Sequence, residues 1–303
     1  MNSENEMRSS PENPYILSFA DLPPHLRDPE KSLVRIIPVP YEATVSYKGG
    51  TKEAPLAVIQ ASANLELWDE ELSTQPCRVG ISTFPPLKCS SAGPKATLTK
   101  IYEYVKENLI PDRFYVFIGG EHSITPGIVK AFSEKYPSVS VLQLDAHADL
   151  RNRYEGSFYN HACVMRRVAE YVVSFAQLGI RSLSQEEALY LRKNNIPHQT
   201  SLQILQSDKW KEIVDEKLSQ VVYLTIDLDV LDPSIMPSVG TPEPGGLTWH
   251  KILEIIRYTA SCKKIVGVDV VELSPIPGIV APDFLVAKLI YKIIGYKFFK
   301  NDL

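Results

Sequence analysis

The chain has 303 residues, 44% apolar and 22% charged, the composition of a globular protein able to bury a core of normal size. A formal net charge of −4, a pI near 5.9 and the lack of any basic tract argue against nucleic acid as a partner. No apolar run approaches membrane-spanning length, and the polar residues 1–15 lack a signal-peptide layout, so no membrane partner, a flexible N-terminal tail and a cytoplasmic location are expected. Cys77, Cys89, Cys163 and Cys262 are widely spaced without a Cys-x-x-Cys, which reads as reduced thiols packed as small hydrophobes.

In chain order, residues 33–39 read as a buried strand and 51–65 as a helix with Pro55 in its first turn. Residues 79–82 suggest a short strand and 96–109 an amphipathic helix. A strand over 114–118 ends in Gly119-Gly120, a helix follows at 124–136, and a strand at 138–144. Then come a helix at 164–171, a strand at 175–180, helices at 185–194 and 208–218, and a strand at 221–226. A helix at 249–260, a strand at 264–271 and a helix at 283–294 close the pattern. Strands alternating with helices imply βα units and a buried parallel sheet. The expectation is α/β: one three-layer α/β/α domain over residues 16–303 around a central, mainly parallel sheet of about eight strands.

Three of these strands end in acidic or histidine clusters: Gly119-Gly120-Glu121-His122-Ser123, Asp145-Ala146-His147-Ala148-Asp149 and Asp227-Leu228-Asp229-Val230-Leu231-Asp232-Pro233. In open α/β sheets the ligand crevice lies outside the carboxyl ends of the strands. Residues two apart on a strand point the same way, so Asp145 pairs with His147 and Asp227 with Asp229. Asp149 can rejoin them as the chain turns out of the sheet. One carboxylate at a strand end is usually a cap. So many together, with two histidines, are too costly to bury without a cation.

The candidate ligands are His122, Asp145, His147, Asp149, Asp227 and Asp229. Four carboxylates, two imidazoles and no thiolate favour Mn²⁺ over structural Zn²⁺. Six ligand residues exceed what one catalytic ion with open positions needs, so two ions sharing bridging carboxylates fit better, able together to deliver hydroxide near neutral pH.

These segments, with Gly240-Thr241-Pro242 and Asp269-Val270-Val271-Glu272-Leu273-Ser274-Pro275, resemble the signatures of the ureohydrolase (arginase/agmatinase) family, in that family's order, over a stretch from about residue 38 to the C-terminus. The resemblance implies an arginase-like fold and a dinuclear manganese hydrolase that cleaves a guanidino group to urea and an amine. It implies one Mn²⁺ held by His122, Asp145, Asp149 and Asp227, and a second by Asp145, His147, Asp227 and Asp229. It assigns guanidinium binding to Glu272, a proton-shuttle role to His161 with help from Asp149, and a place lining the site to Thr241. It also implies a homo-oligomer, a trimer or hexamer.

The loop 150–161 and the segment 44–51 look like those of agmatinases, so agmatine, hydrolysed to putrescine and urea, is the expected substrate. Glu155 is the candidate partner for its distal amine. N1-aminopropylagmatine, a guanidino acid or arginine are the alternatives, as are a mononuclear zinc deacetylase-like enzyme and a non-enzymatic metal-binding relative. Glu121 departs from the aspartate usual before the metal histidine and is expected to orient His122 with its longer side chain. Asn160 stands where serine is commoner.

Overall fold

The computed structural model describes residues 17–299. The tail expected over residues 1–15 lies outside the described residues. One sheet of eight strands organises the described chain, in the order β2-β1-β3-β8-β7-β4-β5-β6. The strands are β1 (Val34–Val39), β2 (Ile81–Thr83), β3 (Phe114–Gly119), β4 (Ser140–Leu144), β5 (Ser174–Ile180), β6 (His198–Thr200), β7 (Val221–Asp227) and β8 (Lys264–Val271). Every neighbouring pair is parallel.

Strand side chains alternate between the two faces, and both faces are apolar. Val34 and Ile36 of β1, Phe114, Val116 and Ile118 of β3, and Val222, Leu224 and Ile226 of β7 join one core cluster. The helices covering that face include α1 (Ala54–Ser62), α8 (Trp249–Cys262) and α9 (Ala281–Phe298), which bury Val58, Ile252, Ile256 and Ile290 against it. The intervening residues Ile37, Val39, Tyr115, Phe117 and Tyr223 join the second cluster. There α2 (Pro94–Asn108), α3 (Thr125–Lys135), α4 (Val164–Val168) and α5 (Gln185–Lys193) supply Ile101, Ile128, Phe132, Met165 and Leu191. The Phe132 ring sits 4.9 Å from that of Tyr223 in an edge-on contact, a geometry favoured by aromatic quadrupoles. Burial on both faces is what a parallel sheet requires, and it gives the three layers expected from the alternation.

The chain adds β2 on one side of β1 and β3 on the other, then jumps from β3 across to β4 and builds outward through β5 to β6. The later strands β7 and β8 return to fill the gap between β3 and β4. The strands that carry the motifs are therefore the four contiguous central ones, and their carboxyl ends lie side by side at the place where the sheet order reverses.

Two stretches differ from the sequence expectation. The edge strand β6 and the helix α6 (Ser201–Gln206) after it fall in a stretch given no element above. Between 208 and 218, an α-turn, α7 (Trp210–Glu212), widens into a π-turn over Ile213–Lys217. The four cysteines are all free thiols, Cys77 and Cys163 buried. None of the described helices is long and apolar enough to cross a membrane.

Candidate active site

Gly120 lets the site form. A Cβ there would stand 2.0 Å from the Tyr41 carbonyl oxygen, so only glycine allows the loop after β1 to run against the end of β3. The Gly120 and Glu121 amides donate to the carbonyls of Val39 and Tyr41 at 3.0 and 2.8 Å. His122 follows at once, in a 3₁₀ turn that leads into α3. On β4 the chain leaves the sheet at Asp145, and on β7 at Asp227.

Two site residues are held in the left-handed backbone region, Asp149 at φ 52° and Glu272 at φ 69°. Each costs on the order of 1–3 kcal/mol for a residue other than glycine. The Asp149 turn folds its carboxylate back over the strand ends while its carbonyl accepts the Met165 and Arg166 amides at 3.0 and 3.3 Å. The Glu272 turn is pinned by its own amide on the Gly120 carbonyl at 2.9 Å.

The six candidate ligands come together in two overlapping groups. His122 Nδ1 lies 3.3 Å from Asp145 Oδ2, 3.2 Å from Asp149 Oδ2 and 3.4 Å from Asp227 Oδ2. His147 Nδ1 lies 2.8 Å from Asp229 Oδ2 and 3.8 Å from Asp145 Oδ1. Asp145 belongs to both groups. Ligand atoms about 2.1 Å from a shared ion and at right angles to each other are ~3 Å apart, so the His122 spacings suit a common cation.

The tautomer agrees. Thr225 Oγ1 donates to Asp269 Oδ1 at 2.5 Å, so it can only accept from His122 Nε2, 2.9 Å away. That fixes a hydrogen on Nε2 and leaves Nδ1 as the nitrogen that faces the carboxylates. Nδ1 is buried without a hydrogen-bond partner among the described residues. Nδ1 beside three carboxylates calls for a cation between them, a proton in the metal-free protein or a metal ion in its place, and this orphaned atom is why the residues fit a metal. Tyr223 steadies Asp269 from its other oxygen at 2.9 Å. Valine in place of Thr225 is expected to weaken the metal on the His122 side about 10–100-fold, as loss of a ligand-orienting hydrogen bond does, measured by competition with a chelator.

Asp145 is held by the Gln143 amide group at 2.6 Å and by the His147 backbone amide at 2.6 Å. The Asp229 carboxylate accepts the Ala146 amide at 3.0 Å, and Thr241 Oγ1 reaches its Oδ2 at 3.4 Å. Arg181 braces the backbone of this loop, donating to the carbonyls of Asp229, Glu243 and Pro244 at 2.6, 2.7 and 3.1 Å.

Charge crowding shows in the proton affinities. Burial, then the charge of Asp229, pushes the Asp145 and Asp227 carboxyls well above the ordinary range. Burial opposes protonation of His122, but Asp145, Asp149 and Asp227 outweigh it and hold the ring well above its usual value. His147 is likewise raised to about 11, against its burial, chiefly by Asp229. Burial and the charge of Asp227 raise Glu272 strongly. Asp229 alone moves down, to about 2: burial opposes ionisation, but His147 prevails.

Groups with raised native values bind more protons folded than unfolded, so they contribute stability at low pH that is lost as pH rises. The metal-free protein is therefore expected to melt at a lower temperature near pH 8 than near pH 5, and added metal to raise the melting temperature more at the higher pH. Calorimetry with and without chelator checks this. An unchanged melting temperature between the two pH values would speak against the crowded cluster.

A cleft opens over the cluster, lined by His122, His147, Asp149, Asp227, Thr241 and Glu272 together with Ser46, Arg151, Tyr154, His161, Ser184 and Glu187. Glu272 Oε1 accepts the His122 backbone amide at 2.6 Å. His161 follows Asn160, whose side chain caps the turn through the Ala162 amide at 2.9 Å. Glu155 stands elsewhere. The Tyr154 and Ser157 amides and carbonyls pair at 2.9 Å each way, closing a two-residue turn with Glu155 and Gly156 both at positive φ. Glu155 is exposed at its tip and is not among the residues lining the cleft, whereas Tyr154 is.

Glu121 does not orient His122. Its carboxylate turns to the loop after β1 and accepts from the amides of Ala43 and Thr44 and the hydroxyls of Thr44 and Ser123. Thr225, Asp269, Arg181, Thr44 and Glu187 received no role from the sequence. Asp269 could have been found inside its own motif, two residues along the strand from Val271. Arg181 acts through backbone carbonyls, which leave no mark in the sequence.

Comparison with known proteins agrees with this geometry. The pattern that defines the Arginase family matches residues 32–295. The chain is 41% identical over 310 residues to the N(1)-aminopropylagmatine ureohydrolase of Synechocystis sp., covering 98% of this chain and 97% of that one. It is 33% identical over 269 residues to the agmatinase of Pyrococcus horikoshii, covering 86% and 90%. Among solved structures, the agmatine ureohydrolase of Thermoplasma volcanium matches with a TM-score of 0.81 at 31% identity, covering 88% of this chain and 90% of that one. With the family pattern spanning nearly all of the described fold and relatives above 30% identity along most of its length, the chain belongs to the arginase family.

Proposed function

We propose that this arginase-family ureohydrolase cleaves the guanidinium end of an agmatine-type amine, releasing urea, with two Mn²⁺ bound per chain. The observation that carries the reading is the convergence of the His122 and His147 Nδ1 atoms on one shared aspartate, Asp145, in a cleft that Glu272 and His161 also line. Four carboxylates and two imidazoles make a hard, oxygen-rich donor set suited to manganese.

The sequence-derived expectation of agmatine is supported by relatives named agmatinase. The N1-aminopropyl derivative carries more weight, because the 41% identical relative, matched over almost its full length, is named for it. A secondary amine in place of a primary one leaves the guanidinium end unchanged, so one site serves either. Glu155 at the turn tip is the proposed partner of a terminal amine that extends past the cleft.

A guanidinium carbon is a poor electrophile because the cation is resonance-stabilised. When bound, the two ions supply an acidified water and positive charge near the carbon. The Glu272 carboxylate pairs with the guanidinium and sets its face toward the cluster. Asp149 accepts a proton at its carboxylate as water is consumed. The alkylamine leaves only when protonated, and His161 holds that proton at Nε2, the nitrogen nearer Ser46 and the cleft.

We further propose a single catalytic domain from residue 16 to 303, a cytoplasmic homo-oligomer of trimer or hexamer type, and a product amine used for polyamine supply. The deciding experiment measures urea release by manganese-loaded protein from N1-aminopropylagmatine, agmatine, arginine, guanidinobutyrate and guanidinopropionate. The expected order puts N1-aminopropylagmatine first and agmatine second in kcat/KM. Arginine or a guanidino acid in first place would overturn the amine reading while keeping the urea chemistry. No urea from any of them would overturn both.

A further inference from the structure

The buried carboxylate of Glu121 is one residue from a metal-cluster histidine, yet it points away from the cluster. Its two oxygens accept four hydrogen bonds: Oε2 from the Ala43 and Thr44 amides at 2.5 and 2.7 Å, Oε1 from Thr44 Oγ1 at 2.7 Å and from Ser123 Oγ. Four donors fill the acceptor sites of a carboxylate. The bond to Thr44 Oγ1 has a consequence two groups away.

The Thr44 hydroxyl hydrogen is committed to Glu121, so that oxygen can offer His161 only its lone pairs. Both are used. The His161 backbone amide donates to Thr44 Oγ1 at 3.1 Å, and His161 Nδ1 lies 3.3 Å from the same oxygen. An imidazole nitrogen facing an oxygen that only accepts must carry the hydrogen. The second nitrogen, Nε2, is then the one that takes up and gives away a proton. It lies 3.4 Å from Ser46 Oγ, and both residues line the cleft. Tyr154 packs edge-on against the ring at 6.1 Å between centroids.

We infer that Glu121 is a positioning residue for His161. Acting through the Thr44 hydroxyl, it fixes the ring in the Nδ1–H tautomer and presents Nε2 to the substrate. The inference rests on the proposed proton-holding role of His161. It also gives a reason for glutamate at this position: aspartate, shorter by about 1.5 Å, would not reach both loop amides and the Thr44 hydroxyl without moving the loop.

The test is a double-mutant cycle on the manganese-loaded enzyme with the best substrate of the panel above, comparing Glu121→Gln, Thr44→Val and Thr44→Ser alone and with His161→Asn. His161→Asn is expected to lower kcat ~100-fold or more. Glu121→Gln and Thr44→Val should each lower kcat ~10-fold with KM within about twofold, and Thr44→Ser, which keeps the hydroxyl, should restore it. In the His161→Asn background the Glu121 and Thr44 substitutions should change kcat less than about twofold, because their target is gone. Should Glu121→Gln fail to fold, Thr44→Val carries the test, since the carboxylate then keeps its backbone partners. Single variants with unchanged kcat, or effects that multiply with that of His161→Asn, would show that Glu121 only braces the loop. Full turnover in His161→Asn alone would instead sink the proton role of His161, and the inference with it.

Discussion

Alanine in place of Asp229 is expected to cost one of the two bound metals and to lower urea release by about three orders of magnitude. Asp229 is fully buried and gives Oδ2 to the His147 group while Oδ1 anchors the Ala146 amide. Its loss takes away a ligand, and it also frees His147, whose Nδ1 is raised chiefly by that carboxylate. The His122 group is left with its own four residues, so one ion should remain. Two metal ions together are worth several kcal/mol of charge stabilisation during hydrolysis, and about 4 kcal/mol corresponds to the rate loss expected. Metal analysis of the purified variant beside a urea assay checks both parts. A variant that kept two ions per chain would show that Asp229 is not a ligand.

Glutamine in place of Glu272 should behave in the opposite way: both metals stay, and substrate recognition fails. The amide oxygen can still accept the His122 backbone amide that Glu272 Oε1 accepts at 2.6 Å. What disappears is the negative charge proposed to face a guanidinium. Removing one partner of a buried, hydrogen-bonded charge pair costs about 3 kcal/mol, so kcat/KM should fall ~150-fold. The carboxyl of Glu272 is pushed up by burial and by the charge of Asp227, and its backbone is held at φ 69°. The fold therefore retains a crowded carboxylate where a neutral residue in the same backbone conformation would be more stable. The glutamine variant should accordingly melt no lower than the natural protein, which a thermal scan reports. Near-normal kcat/KM in that variant would remove Glu272 from guanidinium binding.

Much of this architecture was legible from periodicity. The central strands β1, β3, β4, β7 and β8 are near-continuous apolar runs because both faces are covered, and their ranges came out within one or two residues. The edge strand β6 was not legible. Its three residues, His198, Gln199 and Thr200, are too short and too polar to show alternation, and edge position relieves them of the need to be apolar. The signal that could have marked the neighbourhood is the capping box between Thr200 and Gln203 at the start of α6.

The cluster itself was readable because strand ends concentrate carboxylates that cannot be buried alone. Asp149 was expected to rejoin the group through a turn, and its positive φ is that turn. Side-chain direction was not readable. Glu121 was expected to reach His122 and instead reaches Thr44, because Gly120 brings the loop after β1 against it. Glu155 was singled out by its charge, which carries no information about the tight turn that sets it at an exposed tip. Thr225 and Asp269 escaped because their work is to orient another ligand across two strands, a relation that appears only when β7 and β8 lie side by side.

The most direct measurement titrates Mn²⁺ into chelator-stripped protein, following bound ions per chain and urea release from N1-aminopropylagmatine and agmatine in the same samples. Paired histidine–aspartate groups sharing Asp145 require that urea release climb with filling and level off at two ions per chain. Full turnover with one ion bound, or with none, would contradict a dinuclear ureohydrolase.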